Sequence, residues 1–164
     1  MDENSTTEAT AFALKLLSLR NHSRFELAGK LRKKGYSHET GEAALDYLSK
    51  KKLIDDEAFA RELIESRQRR KPSGRGKLRC DLLKKGVPES VASELLKDYD
   101  SLEVALRAGR KKLAALKGRD ENEKKKKIGV FLRNRGFEWP VIKETLENLF
   151  KTGQEDEVDQ TPSA

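Results

Sequence analysis

Apolar residues fall along this chain at helical intervals, and the pattern itself repeats. A leucine, three residues, a glycine and a bulky apolar residue occur as Leu31 to Gly35-Tyr36, Leu82 to Gly86-Val87 and Leu132 to Gly136-Phe137, with the glycines 51 and 50 residues apart. The register extends in both directions. Leu27, Leu78 and Ile128 stand eight residues before each glycine, and Leu45, Leu96 and Leu146 ten residues after it. A repeat of this period, with a glycine between amphipathic segments, describes stacked helical units rather than a compact catalytic domain. The predicted fold is all-α, with three tandem three-helix repeats.

The first predicted helix spans Thr7 to Leu19 and carries Ala9, Phe12, Ala13, Leu16, Leu17 and Leu19 on one stripe. Ser23 followed by Glu26 has the form of a capping box, opening a helix through Leu27 and Leu31 that stops near Gly35. Tyr36 is expected to fold back over the preceding turn. Ser37 caps the third helix, whose inner face is Ala44, Leu45 and Leu48. The second repeat begins at Asp55-Asp56-Glu57, continues through Phe59, Leu63 and Ile64 to Arg67, and breaks at Pro72-Ser73-Gly74-Arg75-Gly76. Leu78, Leu82 and Leu83 then lead to Gly86, and Pro88 opens a helix with Val91, Leu95 and Leu96. The third repeat starts near Asp100-Ser101, resumes after Gly118-Arg119-Asp120, and closes with a helix opened by Pro140 that carries Val141, Ile142, Leu146, Leu149 and Phe150. Nine helices and no strand are expected. The predicted boundaries are a flexible N-terminus over 1–8, repeats over 9–53, 54–99 and 100–150, and an acidic tail over 151–164 that reads as disordered by composition.

Composition makes the interior thin. Only 35% of the 164 residues are hydrophobic and 38% are charged, which suits an elongated array better than a sphere. The net charge is +7, but three acids lie in the first eight residues and four acids against one lysine in 151–164, so the body between carries +13. Such a body attracts polyanions, nucleic acid or an acidic protein surface. The single cysteine, Cys80, rules out an intramolecular disulfide, and no stretch reaches the length of a membrane span. The N-terminus lacks the basic start and apolar run of a secretory signal, so a cytoplasmic location is expected.

Candidate chemistry is sparse. His22 and His38 fall in polar turns and are expected to be solvated, without metal-ligand spacing, and Cys80 is expected to be a partly packed thiol. Asp55-Asp56 is accounted for by a helix start, and Gly74-Arg75-Gly76 lacks the lysine-serine ending of a phosphate loop. Trp139 and Tyr36 are expected to pack at the core or its rim rather than to stack on bases. No acid, base, nucleophile or metal constellation stands out, so neither enzymatic activity nor a cofactor is expected. The basic clusters are more informative. Arg67, Arg69, Arg70, Lys71, Arg75, Lys77 and Arg79 crowd one break between helices, and Lys124, Lys125, Lys126 and Lys127 form a second run at the matching place in the next repeat. Their recurrence makes them the candidate polyanion-binding residues. Lys33-Lys34 and Lys84-Lys85 suit helix C-termini without any partner.

The run Leu53-Ile54-Asp55-Asp56-Glu57-Ala58-Phe59-Ala60-Arg61, followed by Arg67, Gly74-Arg75-Gly76-Lys77-Leu78 and Leu83-Lys84-Lys85-Gly86-Val87, resembles the signature of the RecX family. The opening segment Ala13 to Arg20, with Ser23 through Leu31, is similar to the family's start, and the resemblance covers roughly residues 9–150. Leu63 stands where the family often has an aromatic residue, and Lys52 where it often has glycine. The resemblance implies an elongated, curved array that binds the RecA nucleoprotein filament and modulates, usually inhibiting, strand exchange and ATP hydrolysis in DNA repair and recombination. It implies no catalytic site. A monomer is expected, with weak contacts to single- or double-stranded DNA. The alternative is a helical-repeat protein that binds nucleic acid directly.

Overall fold

The computed structural model describes residues 3–151. Among them are nine helices and no strand: α1 (Glu3–Leu17), α2 (Arg24–Lys34), α3 (His38–Lys50), α4 (Asp56–Arg70), α5 (Arg75–Lys84), α6 (Glu89–Leu95), α7 (Ser101–Ala114), α8 (Glu121–Asn134) and α9 (Trp139–Lys151). The first helix departs from the sequence expectation at both ends. It begins at Glu3, so residues 3–8, expected to be flexible, are helical in this structure, and it stops at Leu17. Leu19 therefore leaves the inner stripe and is 76% exposed. The acidic tail lies outside the described residues beyond Lys151.

The repeated leucine–glycine–apolar motif is a helix-closing device. In each copy the glycine adopts a left-handed conformation, with φ of 101° at Gly35, 77° at Gly86 and 74° at Gly136. The residue after it donates its backbone N–H to the carbonyl of the motif's leucine: Tyr36 to Leu31 at 3.2 Å, Val87 to Leu82 at 3.1 Å and Phe137 to Leu132 at 3.2 Å. This is the Schellman arrangement, which commonly brings the leucine and the post-glycine residue into apolar contact. Leu31, Leu82 and Leu132 are all buried. The sequence motif thus encodes a hydrogen-bond pattern and a buried leucine together.

The described residues form two compact units, 3–65 with 79–97 and 66–78 with 98–151, the division falling within α4 and α5. In the first unit α1 packs on α3 and both meet α2. Its core is Ala9, Ala13, Leu27, Leu31, Ala44, Leu45 and Leu48, with Phe12, Leu16, Leu17 and Tyr36 partly buried against it. The alanines on α1 let α3 approach closely. The two acids at the head of α4 divide their work. Asp55 caps its own helix, accepting from the Glu57 and Ala58 amides at 2.9 Å, whereas Asp56 accepts the backbone N–H of Arg24 at the start of α2 at 2.9 Å. Ser23 caps α2 as expected, accepting from the Glu26 amide at 3.1 Å, but Glu26 does not complete the box. Its carboxylate binds Arg20 at 3.1 Å and Lys85 at 2.6 Å instead. Burial pushes that carboxyl up, and the Lys85 and Arg20 contacts overcome this to hold it below its usual value.

In the second unit α7 packs on α9 and both meet α8. Small residues again permit the approach: a Cβ at Gly109 would lie 2.8 Å from Leu149 Cδ1 and 3.3 Å from Thr145 Cγ2. Ile128, Leu132 and Ile142 are buried around this contact, and the buried Thr145 hydroxyl donates back to the Val141 carbonyl at 2.7 Å. The two units share a local theme. In the first, the start of α2 docks on the end of α5, where Ser23 Oγ donates to the Lys85 carbonyl at 2.5 Å and the Phe25 ring covers Gly86. In the second, the start of α5 docks on the end of α8, where the Gly74 amide donates to the Arg135 carbonyl at 3.0 Å and Lys77 covers Gly136.

Candidate functional site

The break at Pro72-Ser73-Gly74-Arg75-Gly76 is a tightly built corner rather than a loose loop. The buried Tyr99 donates its hydroxyl to the Ser73 carbonyl at 2.7 Å, and Arg75 donates to the Tyr99 carbonyl at 2.9 Å. Burial raises the Tyr99 hydroxyl to about 12. Ser73, also buried, donates its hydroxyl to the Lys71 carbonyl at 2.9 Å. Two of the candidate cations therefore have structural work in this corner: Arg75 ties α5 to the segment before α7, and the Lys77 stem packs on Gly136. Arg79, on the first unit's portion of α5, pairs with Glu89 at 2.8 Å. Arg67 is half-buried and Lys71 exposed.

Arg69 and Arg70, at the C-terminal end of α4, are brought together with cations that the sequence clusters did not include. They line a cleft of ≈ 480 Å³ with Arg107, Lys111 and Lys112 of α7 and Arg135 at the end of α8. Six cations and no carboxylate line it. Phe131 organises two of them, with Lys112 Nζ 5.6 Å and the Arg135 guanidinium 5.0 Å from its ring centre, each within cation–π range. Arg107 reaches the Gln68 carbonyl at 3.5 Å, while its other terminal nitrogen is 3.9 Å from Glu103 at the helix surface. Nη1 of Arg135 is buried without a hydrogen-bond partner. A buried donor without a hydrogen-bond partner is costly, and the Phe131 ring is the group set against this guanidinium.

The second basic run stands beside this cleft. Lys126 and Lys127 line an adjoining groove of ≈ 540 Å³ that shares Lys112 and Phe131 with it. Lys127 is 3.6 Å from Glu123, which Arg119 also engages. Lys125 faces another side of α8, paired with Glu121 and 5.0 Å from the Phe150 ring centre, and Lys124 is half-buried in the first turn. Within the second unit, then, Arg69, Arg70, Lys126 and Lys127 fall on adjoining grooves. Arg107, Lys111, Lys112 and Arg135 were missed: Lys111 and Lys112 follow Arg110 in a short basic run that ends a helix instead of standing at a break, and Arg107 and Arg135 lie outside any run. The available signal was the i, i+4 spacing of Arg107 and Lys111 on the polar face of α7.

Three further expectations need correction. His22 is buried, only 3% exposed, rather than solvated, and its Nδ1 donates to the Arg20 carbonyl at 3.0 Å. Cys80 is exposed, not packed. Trp139 is 67% exposed, because α9 begins at this residue and its inward face starts with Ile142. Tyr36 packs as expected, its ring 6.4 Å from that of Phe12. No helix among the described residues is long and apolar enough to cross a membrane.

Comparison with known proteins matches the chain to the RecX family. Its models match as the first three-helix domain of RecX over residues 9–48, the second over 55–96 and the third over 98–146. The regulatory protein RecX of Chlorobium limicola is 65% identical over 97% of this chain and 100% of the relative. That of Pelodictyon phaeoclathratiforme is 51% identical over 96% of this chain and 98% of the relative. The crystal structure of RecX from Lactobacillus salivarius superposes with a TM-score of 0.76 at 21% identity, covering 90% of this chain and 97% of that one, a likeness of fold. The fold is all-α, built of tandem three-helix repeats.

Proposed function

The chain belongs to the RecX family of regulatory proteins, and from that premise we propose that it regulates the RecA recombinase, binding the RecA nucleoprotein filament and inhibiting its strand exchange and ATP hydrolysis. The observation that carries the reading is the cleft of the second unit, where Arg69, Arg70, Arg107, Lys111, Lys112 and Arg135 converge without a carboxylate and Arg135 keeps a buried donor unpaired. Six positive charges held in one concavity focus the field and favour a partner with closely spaced negative charge. A nucleoprotein filament offers such charge on its DNA and on acidic protein surfaces alike.

The test is a triple variant, Arg70→Ala with Arg107→Ala and Lys111→Ala, chosen to leave intact Arg75, which holds the Tyr99 carbonyl. Helicity should be retained, and the concentration needed to suppress RecA ATPase activity should rise at least tenfold, the effect of about 1.4 kcal/mol of lost binding. A folded triple variant that suppresses the ATPase at the wild-type concentration overturns the cleft's role. The same cleft suits direct binding of naked DNA, the second reading. Loss of DNA binding with filament inhibition unchanged would reject that reading and move the protein contact elsewhere.

A further inference from the structure

We propose that Trp139 is a stacking platform for an unpaired base of a single-stranded nucleic acid. This rests on the polyanion-binding reading above and adds a base-contacting residue outside the cleft that carries it. Trp139 opens α9 with two thirds of its surface exposed, standing on a ridge between two hollows of the second unit. The hollow on the α8 side, ≈ 300 Å³, has an apolar floor that includes Val130, Ile142 and Leu146, and its charged rim is Lys126 and Arg133, with Lys125, itself paired with Glu121, beside them and no carboxylate in the lining. The other, ≈ 400 Å³, contains two carboxylates, but Glu121 is paired with Lys125 and Glu147 lies 3.7 Å from Lys151, which leaves Lys143 as its unengaged cation.

An exposed indole flanked on both sides by cations meets the two requirements of single-strand binding, a π-face for the base and positive charge for the phosphates on either side of it. A duplex would satisfy only the second, because its bases are already stacked on one another. An extended peptide fits less well. It needs backbone donors and acceptors along its path, whereas the helices here spend theirs on i→i−4 bonds and the hollow floor is aliphatic. Phosphates require only the cations.

The chain holds a single tryptophan, so its intrinsic fluorescence reports this site alone. The full chain is titrated at fixed salt with a short oligothymidylate, with inorganic polyphosphate as a polyanion without bases, and with an acidic leucine-containing peptide. Oligothymidylate should quench the emission, and polyphosphate should bind, by calorimetry, with the emission little changed. Trp139→Ala should weaken oligothymidylate binding about 5- to 100-fold without loss of helicity, and Trp139→Phe should recover most of it. Binding of oligothymidylate with unaltered emission, or at wild-type affinity in Trp139→Ala, overturns the stacking role. So does a response to the peptide alone, which would make this a protein-facing surface. If the cleft triple variant abolishes oligothymidylate binding while Trp139→Ala binds normally, the cleft reading stands and only the stacking site falls. If no polyanion binds the wild-type chain, both fall.

Discussion

His22 sits in the polar turn Asn21-His22-Ser23 yet is buried, so its imidazole meets its needs without water, donating Nδ1–H to the Arg20 carbonyl at 3.0 Å. Burial is the leading cause of its lowered pKa, and the charges of Arg20 and Lys30 act in the same direction against that carbonyl bond and Glu26. The folded state therefore resists a proton that the unfolded chain accepts near 6.5, so the unfolded chain binds more protons as the pH falls below that value. The stabilisation is complete above pH 6.5 and drains away as the pH falls towards the folded value. Glu26, whose pKa is also lowered, contributes a separate loss that begins as the pH falls through the ordinary carboxylate value and is complete below the folded one, outside the window of these melts. Thermal melts between pH 7.5 and 5.5 should thus show the wild-type midpoint falling, and His22→Asn, which keeps a donor near the Nδ1 position, should flatten that fall. Parallel curves for the two proteins would show that His22 does not titrate on unfolding.

Between elements, the deciding quantity is how closely one helix start can approach another helix end. Gly74 and Gly76 are two residues apart in the same motif and do different things. A Cβ on Gly74 would lie 2.6 Å from the Gly136 carbonyl carbon and 2.7 Å from Phe137 Cα, both backbone atoms that cannot rotate away. One on Gly76, in the first turn of α5, would meet nothing within 4 Å. Gly74→Ala should therefore destabilise by about 1–3 kcal/mol, as overpacking does, while Gly76→Ala should be neutral or stabilise by up to about 1 kcal/mol. Urea denaturation checks both, and equal effects would remove the α5 to α8 docking from the account. The glycines of the Schellman closures were legible in the sequence because their signals are local: a leucine, a glycine and an apolar residue at fixed offsets specify one hydrogen-bond pattern. Ser23 and Ser37 as caps, and Asp55-Asp56 as a helix start, were legible for the same reason. The close approach at Gly74 was not, since its partner is Gly136, on another helix end. Nor was the exposure of Trp139, because proximity to the post-glycine position says nothing of which way a helix face turns.

Across the whole molecule the issue is whether polyanion binding follows from total charge or from where charge is free. The body carries +13, and on sequence alone every cation in the runs looked equivalent. The structure separates them. Arg61, Arg79 and Arg119 each face a carboxylate, of Glu57, Glu89 and Glu123, whereas Arg70, Arg107 and Lys111 share a cleft lined by none, Glu103 standing 3.9 Å from Arg107 at the helix surface outside it. Tertiary placement creates that difference, by setting Arg69 and Arg70 of α4 beside cations of α7 that lie far along the chain from them. Each cation that displaces a counterion from a single strand contributes roughly 0.7 to the slope of log affinity against log salt concentration. Removing Arg70, Arg107 and Lys111 should therefore reduce the magnitude of the slope by about 2, with the affinity loss largest at low salt. Replacing Arg61, Arg79 and Arg119 together by alanine removes the same formal charge and should change the slope far less, because those side chains already hold an anion. Oligonucleotide binding over a salt series decides the matter. Equal slopes for the two triple variants would mean that bulk charge, not the cleft, carries the interaction, and the six cations of α4, α7 and α8 would lose their claim to be the site.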